Sequence, residues 1–121
     1  MPKHALFSLL LLLAACGSHP LAGAWAQQVP AGQPAVTLEF ETDGSRIMGH
    51  CDVAGAHQHI QGSYVFDAAQ GAVTMTVTDN AALLGIERGG TLAGKVDGDR
   101  LEFTAGAGML TFARTEHVPG H

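Results

Sequence analysis

Side chains able to ligate a metal crowd one short stretch, His50-Cys51-Asp52-Val53-Ala54-Gly55-Ala56-His57-Gln58-His59. Imidazole and thiolate are donors for zinc or copper. On an extended chain His57 and His59 share a face, whereas His50 and Cys51 face opposite ways. His50, Cys51, His57 and His59 therefore meet at one ion only if the segment is a loop that folds back. No zinc spacing such as Cys-x-x-Cys is present. The competing reading is a polar hairpin loop with solvated histidines and a half-buried Cys51.

The same residues offer little to nucleophilic catalysis. Cys51 adjoins His50, and adjacent residues seldom bring a base and a nucleophile within bonding reach. No Gly-x-Ser-x-Gly occurs. Asp97 and Asp99 flank Gly98, which is turn chemistry rather than a pair of catalytic acids. No group of residues fills the roles an active site needs. The expectation is a protein that is not an enzyme and carries no cofactor, with zinc or copper at residues 50–59 as the alternative.

The other cysteine, Cys16, has a different setting. Lys3 gives the chain a positive start, and residues 5–15 are apolar apart from Ser8. That is the layout of a secretory signal, too short to span a bilayer alone. Leu13-Ala14-Ala15-Cys16, followed by Gly17-Ser18, resembles the lipobox of bacterial lipoproteins. The resemblance implies cleavage after Ala15 and acylation of Cys16. Each buried methylene contributes about 0.8 kcal/mol, so two or more acyl chains hold a domain stably at a bilayer. Gly17 rather than Asp after the cysteine implies, for enteric-type bacteria, the outer membrane with the domain facing the periplasm.

The expected organisation is a signal peptide over 1–15, a lipidated tether over 16–20, one β-domain over 21–115 and a frayed tail over 116–121. The mature chain, 106 residues from Cys16, is long enough to bury a core without metal or disulfides. Without Lys3, five basic residues stand against eleven acidic ones, a formal net charge of −6. This excludes a nucleic-acid footprint and leaves lipid, not charge, to provide the anchor. With Cys16 acylated, Cys51 is the only thiol left, so no internal disulfide forms.

The elements that must position these residues read as strands. Val36, Leu38 and Phe40 alternate with Thr37, Glu39 and Glu41, the period of a half-buried strand. Asp43-Gly44 signals a tight turn, and residues 46–50 pair back across it. Ile60, Gly62, Tyr64 and Phe66 share a face. Val73, Met75 and Val77 alternate with threonines. Leu92, Gly94 and Val96 point inward, then Leu101 and Phe103, then Leu110 and Phe112, with turns at Asp97-Gly98-Asp99 and Gly106-Ala107-Gly108. A first strand over 24–28 makes about eight strands at short, even spacing. The fold class is all-β, a small antiparallel barrel or sandwich. Residues 79–89 read equally as a helical turn or another strand. The core expected from this pattern is Val36, Leu38, Phe40, Tyr64, Val73, Met75, Val77, Leu92, Val96, Leu101, Phe103, Leu110 and Phe112.

Gly23-Ala24-Trp25 opens the domain and Arg114 closes it, with the inward parity of Leu110 and Phe112. An unpaired buried charge is costly, and stacking on Trp25 would accommodate it. This pair resembles the closure of lipocalin-like (calycin) barrels. Gly49-His50-Cys51-Asp52 and Gly62-Ser63-Tyr64 resemble motifs of META/HslJ-like lipoprotein domains, though with extra residues between them and no second cysteine after them. Both resemblances imply a compact all-β domain and nothing catalytic. The expected function is a membrane-anchored, non-enzymatic domain that binds a small apolar ligand or an envelope protein, or supports the envelope. The alternatives are a zinc- or copper-binding periplasmic lipoprotein and a pilot lipoprotein that assembles a membrane machine.

Overall fold

The computed structural model describes residues 19–106 and 108–115. The expected signal peptide, Cys16 and the tail over 116–121 lie outside them. Eight strands follow one another: β1 (Ala24–Gln27), β2 (Thr37–Phe40), β3 (Arg46–Val53), β4 (Ala56–Asp67), β5 (Ala72–Asp79), β6 (Thr91–Asp97), β7 (Arg100–Ala105) and β8 (Gly108–Thr115). Each pairs antiparallel with the next, and β8 pairs with β1, so the sheet closes into an up-and-down barrel. Closure removes the unpaired edges a sandwich would keep.

Alternation decides which side chains fill it. In β5 Val73, Met75 and Val77 are buried while Thr74 and Thr78 are exposed. The interior is one apolar cluster running from Leu21 and Trp25 through Ile47, Cys51 and Ile60 to Phe103 and Phe112. Eight strands leave an interior just wide enough for side chains to fill. Outward positions such as Gln61, Ser63, Lys95 and Thr104 are exposed and polar. Met48, Val65 and Met109 are the large apolar side chains exposed among these mostly polar outward positions, whereas the lipid-facing band of a membrane-spanning barrel is apolar throughout.

Both ends are stoppered. Where β1 begins, Leu21 is fully buried and its carbonyl accepts from Trp25 Nε1 at 3.0 Å. His19 packs its ring against Phe66 at 5.0 Å between centroids. At the other end residues 79–89 resolve the expected ambiguity as a short 3-10 helix, Ala81–Leu84, which buries Ala81 and Leu84 in the core. Left-handed Asn80 and Gly85 bracket it, and Gly89 N–H donates to the Val77 carbonyl at 2.7 Å. Of the expected core, only Val96 and Leu110 stay partly exposed. Leu21, Trp25, Ile47, Cys51, Ile60, Ala81 and Leu84 join it.

Candidate functional site

The barrel seam positions Trp25 and Arg114. They are register partners across β1 and β8. The Arg114 guanidinium carbon lies 4.3 Å from the Trp25 ring centroid, within cation–π range. Its nitrogens donate to the Ala22 carbonyl, and to the Pro20 carbonyl at 2.7 Å, Asp99 Oδ1 at 2.9 Å and the Gly98 carbonyl at 3.2 Å. The charge is thus spent on structure: one side chain ties the segment before β1 to the β6–β7 turn.

The histidine stretch differs from the expected loop. β3 continues to Val53 and β4 starts at Ala56, with only Ala54 and Gly55 between them, at φ 51° and 81°. Two left-handed residues make the hairpin turn whose twist suits paired strands. The register then sets His50 opposite His59 and Asp52 opposite His57. His57 and His59 lie on β4 positions whose neighbours Gln58 and Ile60 turn inward, so both stand on the outer wall and are exposed. His50 shares that wall but is buried, on a central strand between Thr37 of β2 and His59 of β4.

Cys51 is the correction. The metal reading needs it to join the histidines from a loop, and the solvated-hairpin reading leaves it half-buried. On a regular strand it points to the opposite face, into the core, and is 2% exposed. The four-donor set is therefore not brought together. Burial, and secondarily the Asp52 carboxylate, pushes the Cys51 thiol above its ordinary pKa. A reactive cysteine needs the opposite shift.

What the wall does assemble is three imidazoles and a carboxylate. His57 lies 5.1 Å from His50 and 4.7 Å from His59 between ring centroids. His57 Nδ1 is 2.7 Å from Asp52 Oδ1. With the proton on Nδ1, His57 donates to Asp52 and presents Nε2 outward. As they stand, no three of the described His, Cys, Asp or Glu residues already converge as an ion would require. Beside the cluster runs a groove walled by His57, His59, Asp79, Asn80, Glu87 and Arg88. Asn80 forms part of its rim and donates from Nδ2 to the His59 carbonyl at 2.5 Å.

Asp52 is a functional residue that its type and spacing alone do not single out. Its signal was the register: residues placed symmetrically about Ala54-Gly55 pair directly, which puts 52 against 57 and 50 against 59. Comparison with known protein families, with curated proteins and with solved structures finds no match for this chain.

Proposed function

We propose that the chain is an envelope lipoprotein anchored through acylated Cys16, with a lipocalin-like barrel that works from its outer surface. Its partner is then an envelope protein or an ion rather than an apolar molecule held inside. The observation that carries this reading is the filled interior, where Trp25, Leu38, Met75, Leu92, Phe103 and Phe112 are fully or almost fully buried in one cluster. Ligand-carrying barrels need a cavity of several hundred Å³. Here Leu21 occupies one end and Leu84 the other.

The anchor reading rests on the residues before the barrel. Only Gly17 and Ser18 separate Cys16 from His19. Three residue steps reach at most about 11 Å. Acyl chains on Cys16 would therefore hold the Leu21 end against the bilayer and turn the β3–β4 hairpin away from it. The net negative charge of the mature chain gives anionic headgroups nothing to attract, which supports a lipid anchor.

The test is a titration of cis-parinaric acid into the Cys16→Ser chain, which cannot carry acyl groups of its own. The expected result is no saturable one-to-one binding. Saturable binding that a fatty acid displaces would place a ligand in the interior and overturn the outer-surface reading.

A further inference from the structure

We propose that the outer wall of the β3–β4 hairpin is a binding site for one zinc or copper(II) ion, with His50, His57 and His59 as ligands and Asp52 as the residue that positions His57. This does not depend on how the chain is anchored.

The donor set has the right chemistry, since imidazole suits both ions and a buttressing carboxylate is the usual partner of a metal-bound histidine. The spacing is right as well. A ring nitrogen about 2.0–2.1 Å from zinc puts its ring centroid about 3.2 Å from the ion, so two rings at the tetrahedral angle stand about 5 Å apart. His50–His57 and His57–His59 stand 5.1 and 4.7 Å apart. Two of the three ring pairs thus stand at a separation compatible with a shared ion, and His50 and His59 are direct register partners across the hairpin. Side-chain rotation remains to aim the nitrogens. His59 is exposed and turns without disturbing the core, and His57, also exposed, is held at Nδ1 by Asp52 with Nε2 left to the ion. Three protein ligands leave a fourth position for water or for a donor from a partner.

Asp52 adds selectivity among nitrogens. Its carboxylate engages Nδ1 of His57 at 2.7 Å and so commits Nε2 to the ion. Cys51, facing the core, takes no part. This separates the site from any arrangement that recruits the thiol.

The full chain, untagged and in mild detergent, is titrated with zinc and with copper(II) alone. The expected result is one ion per chain. His57→Gln with His59→Gln should weaken it more than 100-fold. Asp52→Asn should weaken it about 10–100-fold, as expected for a residue that orients a ligand. Cys51→Ala should leave affinity unchanged. Zinc should also shift the ring proton resonances of His50, His57 and His59 together. The site is overturned if the wild type binds no ion at one to one. It is equally overturned if the double variant binds as tightly as the wild type, or if His117→Ala with His121→Ala abolishes binding.

Discussion

Arg114 stacks on Trp25 with its guanidinium carbon 4.3 Å from the ring centroid, and the same side chain holds three backbone carbonyls. A cation that serves the seam in this way is mainly a hydrogen-bonding fork. Its ion pair with Asp99 counts for less, because the Asp99 side chain is 84% exposed and water screens it. Arg114→Met should therefore cost about 2–3 kcal/mol, leaving the carbonyls of Pro20, Ala22 and Gly98 without this donor. Asp99→Asn should cost under about 1 kcal/mol. Arg114→Lys keeps the charge but not the planar fork, and should recover less than half of the loss. Urea denaturation of the three variants ranks them. Equal costs for Asp99→Asn and Arg114→Met would mean that the ion pair dominates.

Gly94 faces inward opposite Phe103. A Cβ at Gly94 would run into the Glu102 carbonyl oxygen and the Phe103 ring. Gly94→Ala should destabilise by about 1–3 kcal/mol through overpacking. Its neighbour Ala93 points outward and is exposed, and Ala93→Ser should stay within about 0.5 kcal/mol. Denaturation midpoints that move equally for both would contradict the inward parity of Gly94.

Cys51 ties a pH dependence to the fold. Its folded pKa lies above the ordinary thiol value because burial, and then Asp52, disfavours the thiolate. Stability linked to this group is fully present below the ordinary thiol pKa, near 8.5, and is lost as pH rises toward the folded value. Iodoacetamide at pH 8 should therefore label Cys51 at least 100-fold more slowly in native protein than in urea. Comparable rates would mean that the thiol does not sit in the core.

Much of the barrel was legible because alternation survives wherever one face is dry and the other wet. Val73-Thr-Met75-Thr-Val77 states its parity without help from tertiary structure. Gly62, where a Cβ would meet the Thr76 carbonyl, and Gly94 were legible as inward but not as close approaches, since a contact across strands is not local. The histidine segment was the main difference. Ala54-Gly55 carries none of the Asn or Asp that usually marks a left-handed hairpin turn, and Ala54 adopts φ 51° despite its Cβ. Without that turn, alternation alone stops one strand at His50 and restarts the next at His59. With it, Cys51 turns inward and Asp52 meets His57. Leu84 was hidden for another reason, because a four-residue apolar stretch has no period to read.

The measurement that bears most directly on the account is acylation of Cys16. The full chain is expressed in a bacterial host fed an alkyne-tagged fatty acid, alongside Cys16→Ser and Cys51→Ser. The wild type and Cys51→Ser should be labelled and recovered in the membrane fraction. Cys16→Ser should lose both label and membrane association. Equal labelling of the wild type and Cys16→Ser, or an unlabelled wild type, would rule out an acyl anchor at Cys16.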